Sequence, residues 1–184
     1  MNITLYGAAS DKVDAVYKDA VEELGREIAR RGHTMVFGAG STGLMGAAAR
    51  GVNSEGGRII GVAPHFIHEF EPVYENCTEL MNTETMSERK DLMENLADAF
   101  IIVPGGIGTF DELFQILTLK TLGRHDKPIV LYNVRSFWDN MLAVVGSDVF
   151  KGFIASQVAD CFKVSESAVS AIDLVERLVS EKCG

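Results

Sequence analysis

The chain has 184 residues, with 17 Lys and Arg against 26 Asp and Glu, a formal net charge of −9. Its 47% hydrophobic and 23% charged content is that of an ordinary globular domain and excludes disorder, collagen-like repeats and a disulfide scaffold. The acidic balance argues against nucleic acid as a partner, because phosphates would be repelled and no cluster of Lys or Arg offsets the charge.

In chain order, short β-branched and aromatic runs alternate with longer segments of helical period, the pattern of βαβ units and a parallel sheet. Strand Ile3 to Tyr6 ends at Gly7, and a helix from Val13 to Arg31 follows, with Val16, Ala20, Leu24 and Ile28 at helical spacing. Strand Thr34 to Phe37, helix Leu44 to Ser54 and strand Arg58 to Ala63 come next, the last stopped by Pro64. His65 to Glu75 has no period and is expected to be a long loop. A weak strand from Glu79 to Met81, a helix from Thr85 to Leu96 and the apolar strand Ala99 to Val103 follow. Helix Phe110 to Leu122, strand Pro128 to Tyr132, helix Phe137 to Val145, a short strand near Cys161 to Val164 and helix Ala168 to Lys182 complete the chain. The expected fold is a single α/β domain over residues 1–184, Rossmann-like and doubly wound, with a mainly parallel sheet flanked by helices.

Cys77, Cys161 and Cys183 are odd in number and widely spaced, which fits neither a disulfide framework nor a zinc site and suggests a reducing cytosol. The N-terminus lacks a basic segment and an apolar core, and no apolar run is long enough to span a bilayer. A cytoplasmic protein with no membrane partner is expected.

Ligands of open parallel sheets sit beyond the carboxyl ends of the strands. Three loops there are rich in small residues and glycine: Gly7 to Ser10, Gly38 to Gly43, and Pro104 to Thr109. Glycine lets backbone approach a ligand, and the helix that follows offers unpaired N–H groups to an anion. Each loop is also what a tight strand-to-helix turn requires, and three at one sheet edge favour the phosphate-binding reading. Gly38-x-Gly40-x-x-Gly43 matches the dinucleotide fingerprint, but it follows the second strand, and Ile60 to Pro64 offers no acidic residue for a ribose. A dehydrogenase is therefore disfavoured.

On a helical wheel, Met86, Leu92, Met93 and Leu96 form an apolar arc with Glu88, Asp91 and Glu94 opposite. Arg89 falls inside that arc and Lys90 at its edge. A guanidinium there needs a buried carboxylate or a bound anion, unless it snorkels to water along its stem. Thr109-x-x-Glu112 has the spacing of a capping box, which spacing alone favours for Glu112; the functional reading places that carboxylate beside a phosphate nest. His65-x-x-His68 lacks further ligands, so no metal site is expected, and His33 and His125 look like surface or loop-edge residues. No G-x-S-x-G elbow is present.

Taken together, Gly38-Ala39-Gly40-Ser41-Thr42-Gly43-Leu44-Met45-Gly46, Met86-x-x-Arg89-Lys90 and Pro104-Gly105-Gly106-x-Gly108-Thr109-x-x-Glu112 resemble the Lonely Guy (LOG) family of cytokinin riboside 5′-monophosphate phosphoribohydrolases, often labelled lysine decarboxylases. The resemblance runs from Ile3 through the terminal helix. It implies a homodimer that hydrolyses the N-glycosidic bond of a purine nucleoside 5′-monophosphate, with no metal or organic cofactor. It further implies Arg89 and Glu112 as the catalytic pair. Substrate contacts would come from Glu71, Lys90, Gly105, Gly106, Ile107, Gly108, Thr109, Phe110, Asp111 and Thr118, with Glu69 an alternative to Glu71. Departures from the family pattern are Ala39 where glycine is frequent, Ala8-Ala9-Ser10 in the first loop, and Asp111 where Glu is usual. Two other classes stand beside this one: a carrier that binds a nucleotide or phosphorylated cofactor without cleaving it, and a lysine decarboxylase, for which Lys90 is the one nearby Schiff-base candidate.

Overall fold

The computed structural model describes residues 1–70, 72–148, 151–154 and 156–182. Seven strands, β1 (Asn2–Tyr6), β2 (Thr34–Phe37), β3 (Arg58–Pro64), β4 (Glu79–Thr83), β5 (Ala99–Ile102), β6 (Ile129–Tyr132) and β7 (Lys163–Ser165), form one sheet in the order β4-β3-β2-β1-β5-β6-β7. Every neighbouring pair is parallel. The chain steps outward from β1 to β4, then crosses back to lay β5 against the other side of β1. The carboxyl ends of β1 and β5 therefore flank the switch point where a crevice opens.

Both faces are covered, as the apolar strands require. One core layer joins Ile3, Leu5, Met35, Phe37 and Ile101 to helices α1 (Ala15–Arg30), α2 (Gly43–Ser54) and α6 (Ala168–Ser180) through Leu24, Ile28, Val52, Ile172 and Val175. The other joins Tyr6, Val36, Val62, Phe100 and Ile102 to α3 (Met86–Leu96), α4 (Ile107–Thr121) and α5 (Asp139–Val145) through Met93, Leu113, Ile116 and Met141. Helices α1 and α2 approach to backbone contact: a Cβ on Gly51 would stand 2.0 Å from the carbonyl oxygen of Glu22. This contact seats the C-terminal half of α2 directly on α1.

Most predicted elements stand within a few residues of their expected bounds, with four corrections. Pro64 is the last residue of β3, in register with Thr83, where its missing N–H costs no interior ladder bond. His65–Glu69 forms a 3₁₀ turn inside the expected loop. Helix α4 begins at Ile107 rather than Phe110, because Gly106 is its N-cap. Val134–Ser136 is a 3₁₀ turn, and α5 starts only at Asp139. His33 and His125 both stand at loop edges, before β2 and after α4, and both are half-buried. His33 lies 2.9 Å from Glu176 on α6, and His125 leans on Phe100 with its Nε2 2.9 Å from the Ile116 carbonyl.

Candidate active site

The loops after β1, β2 and β5 enclose a cleft of about 330 Å³ at the switch point. Gly7 to Ser10 form one side, Gly38 and Gly40 another, and Gly106, Gly108 and Thr109 a third, with Leu5, Tyr6 and Met45 beneath and Ile67 and Met86 at the wall. Arg89 and Glu112 supply its charged groups. The β1 and β5 loops are tied by Ala8 N–H donating to the Pro104 carbonyl at 3.0 Å. From the other side, Val73 makes an antiparallel bridge to Gly40, Ser41 N–H donates to Pro72 and Tyr74 N–H to Ala39, so residues 72–74 brace the β2 loop. Ala39 has φ of 61°, a left-handed conformation that explains why glycine suits this position.

Helix α3 delivers Arg89. Its start is fixed by a capping box: Thr85 Oγ1 accepts from Glu88 N–H, and Glu88 Oε2 accepts from Thr85 N–H. From that helix the Arg89 guanidinium turns inward. Its Nη1 donates to Glu112 Oε1 at 2.9 Å and its Nε to the Val62 carbonyl at 3.3 Å. This settles the choice left by the helical wheel, because the head is paired with a buried carboxylate rather than drawn out to water. Gly38 is required by the same contact, since a Cβ there would stand 1.9 Å from Arg89 Nη2.

Glu112 is only 9% exposed and sits in the second turn of α4. The capping-box reading of Thr109 and Glu112 is overturned: α4 starts at Ile107, its N-cap is Gly106, and no side chain caps it. Glu112 instead faces Arg89. Burial pushes its carboxyl above the usual carboxylate range, and the charge and hydrogen bond of Arg89 oppose that rise. Burial thus raises the proton affinity of the carboxylate while Arg89 favours its ionised form, an arrangement suited to taking a proton or to standing beside developing positive charge.

Glycine-rich sequence does not make every helix N-terminus at this edge available. At α2, Leu44 and Met45 N–H both donate to the Ala8 carbonyl, at 2.8 and 3.3 Å, and Thr42 Oγ1 donates to Ala9 at 2.7 Å. At α4, the N–H groups of Ile107, Gly108 and Thr109 have no acceptor among the described residues, and Gly106 has no side chain to cap them. They are orphan donors at the positive end of the helix dipole, an anion site by construction.

Of the residues expected at the site, Arg89, Gly106, Gly108, Thr109 and Glu112 line the cleft. Ile107 is exposed on the adjoining surface, and Gly105 lies against the Thr109 side chain. Lys90 is bound to Asp111 at 2.9 Å beside the cleft, not within it, so the shorter Asp111 still reaches a cation. Phe110 turns away toward Phe114 and Trp138. Thr118 lies on the outer face of α4, in a shallow depression with Asp111, Phe114, Gln115 and Leu119. Glu71 and the side chains of His68 and Glu69 lie outside the described residues. His65 is largely exposed, 3.7 Å from Glu84, and no group of three His, Cys, Asp or Glu suited to a metal exists among the described residues. Tyr6 and Ile67 line the cleft without a sequence motif to flag them, and Met45 joins them from within the first glycine motif. The position of Tyr6 at the carboxyl end of the first strand was the available signal.

A family model described as "Possible lysine decarboxylase" matches residues 45–175. Cytokinin riboside 5′-monophosphate phosphoribohydrolase LOG of Oryza sativa subsp. japonica is 40% identical over 176 residues, which span 96% of this chain and 72% of that protein. The phosphoribohydrolase of the same description, LOG1 of Arabidopsis thaliana, is 39% identical over 171 residues, spanning 93% and 78%. The solved molybdenum cofactor carrier protein MCP from Chlamydomonas reinhardtii has a TM-score of 0.75 at 22% identity, covering 97% of this chain and 98% of that one, a likeness of fold alone. At the identity and coverage of the curated relatives, the chain belongs to the LOG family of cytokinin riboside 5′-monophosphate phosphoribohydrolases.

Proposed function

We propose that this chain hydrolyses the N-glycosidic bond of a purine nucleoside 5′-monophosphate, releasing the free base and ribose 5-phosphate. The observation that carries the reading is the buried Arg89–Glu112 pair at 2.9 Å beside the uncapped N-terminus of α4. The 5′-phosphate takes the orphan N–H groups of Ile107, Gly108 and Thr109, and that remote binding energy holds the sugar over Glu112. As the C1′–N bond breaks, its electron pair leaves with the base and positive charge builds on the ribose. Glu112 stabilises that charge and takes a proton from the attacking water, whose oxygen bonds to C1′, while the base gains a proton at the nitrogen that left. Arg89 keeps the carboxylate ionised and stands near enough to meet the nucleotide phosphate. All of these roles fall to protein groups and water.

The carrier reading shares the fold, but a carrier has no need for a buried carboxylate paired to a cation in its binding cleft. The decarboxylase reading would need Lys90 as an unencumbered amine, and Lys90 is held by Asp111. Among the described residues no helix is long and apolar enough to cross a membrane, and we place the protein in the cytoplasm as a homodimer. Exposed Phe114 on α4 and Leu122 just past its end support a second copy there, and Thr118, which faces away from its own cleft, would then serve the partner's nucleotide.

The test is incubation of purified protein with AMP and with isopentenyladenosine monophosphate, following free base by chromatography. Release by the wild type that is lost in Glu112→Gln is the expected result. A nucleotide recovered unchanged from every purine monophosphate tried would refute the reading and favour the carrier.

A further inference from the structure

The reaction leaves one buried polar group at the cleft floor without a task. Tyr6, the last residue of β1, is 1% exposed and lines the cleft. Its hydroxyl is one of three buried side-chain polar atoms with no hydrogen-bond partner among the described residues. The other two belong to His125 and Trp138, neither of which lines the cleft. An unsatisfied buried hydroxyl is unfavourable, and Phe would fill the same space without that cost. The ring does not wander: it stacks on Phe100 at 6.1 Å and 14°, and its backbone carbonyl accepts from Val103 N–H at 2.9 Å.

Tyr6, Arg89 and Glu112 line the same cleft, and the charges that bear on the phenol are those of Glu112 on α4 and of Glu94 and Arg89 on α3. Glu94 already accepts from Gln115 Nε2 at 2.6 Å. Glu112 is bonded through Oε1 to Arg89, and its Oε2 has no bonded partner among the described residues. Beyond Tyr6, the groups that bear on Glu112 are Arg89 and Lys90, which favour its ionised form, and Asp111, which opposes it. Burial above all, and then the Glu112 charge, hold the Tyr6 phenol well above its ordinary value, so it remains a donor throughout the neutral range.

Resting on the hydrolase reading, we propose that Tyr6 is a positioning residue for Glu112: when the nucleotide phosphate draws Arg89 from the pair, the Tyr6 O–H donates to the Glu112 carboxylate and keeps it ionised and aimed at the sugar. A hydrogen bond to a charged group made only at that stage acts on turnover rather than on substrate affinity.

The experiment compares wild type and Tyr6→Phe with AMP as the probe. The expected result is a Tm equal to or above that of the wild type, KM within about twofold, kcat lowered about tenfold, and an acid limb of the kcat profile moved to higher pH because the carboxylate in the bound state has lost a donor. If Tyr6→Phe does not fold, 3-fluorotyrosine placed at position 6 keeps the ring and sharpens the donor, and the acid limb should move to lower pH. A folded variant whose kcat and acid limb match the wild type overturns the role of Tyr6 while leaving the hydrolase reading in place. A wild type that releases no base from any purine monophosphate overturns both.

Discussion

The junctions from β2 into α2 and from β5 into α4 lie at the same sheet edge and carry similar glycine-rich sequence, yet their helix N-termini are in opposite states. At α2 the Ala8 carbonyl takes two N–H groups and Thr42 ties the loop to Ala9. At α4 three N–H groups are unclaimed and the first residues of the helix border the cleft. The first junction is thus a brace that sets the shape of the cleft, and the second is the surface that meets an anion. Glycine content reports that backbone can come close; hydrogen-bond accounting decides whether it comes close to the protein or to a ligand.

If the division holds, substitutions at the two junctions separate activity from stability. The largest effect is expected for Glu112→Gln, which keeps the shape of the side chain and should lower kcat by about 10²–10⁴-fold with the circular dichroism spectrum unchanged. The wild-type profile should carry the same signature. Because the Glu112 carboxyl is raised above its usual value, activity that needs it ionised should fall at a pH above the ordinary carboxylate range as acid is added. Arg89→Ala should lose activity and also stability, by about 3 kcal/mol in denaturant unfolding at neutral pH, because it leaves Glu112 buried without its cation.

Smaller effects sharpen the comparison itself. A Cβ at Gly108 meets nothing within 4 Å, so Gly108→Ala should leave Tm unchanged or slightly higher. By crowding the anion it should still raise KM about tenfold, the equivalent of about 1.4 kcal/mol. Thr42→Val, at the other junction, removes the bond to Ala9 and should lower stability by about 1 kcal/mol, a Tm drop of about 2–4 °C, with KM changed by less than about twofold. A Thr42→Val protein that lost substrate affinity as Gly108→Ala does would show that the two junctions are not distinct in kind.

The sheet and its flanking helices were legible because buried parallel strands read as apolar runs, with β5 the plainest, and the intervening helices as periodic segments. Glycines misplaced the start of α4. Gly106 to Gly108 read as loop, yet the helix begins inside them, and this moved Glu112 from a cap to a second-turn residue that faces Arg89. The inward turn of Arg89 was foreshadowed by its place on the apolar arc of α3, whereas its pairing with Glu112 came from the family resemblance and not from spacing, because Glu112 lies on another helix brought close by the β5 crossover. Thr118, named through family resemblance, was placed by the turn of α4 on the outer face. Tyr6 carried no motif at all. Its interest arises from an unsatisfied hydroxyl, a property of three-dimensional surroundings rather than of spacing.

The central claim is that the α4 junction, and not the α2 junction, receives the phosphate end of the substrate. It is tested most directly by titrating ¹⁵N-labelled protein with ribose 5-phosphate and following backbone amides. The account predicts the largest shifts at Ile107, Gly108 and Thr109, with Leu44 and Met45 nearly unmoved because their N–H groups remain on Ala8. Dominant shifts at Leu44 and Met45 with a silent α4 terminus would contradict it.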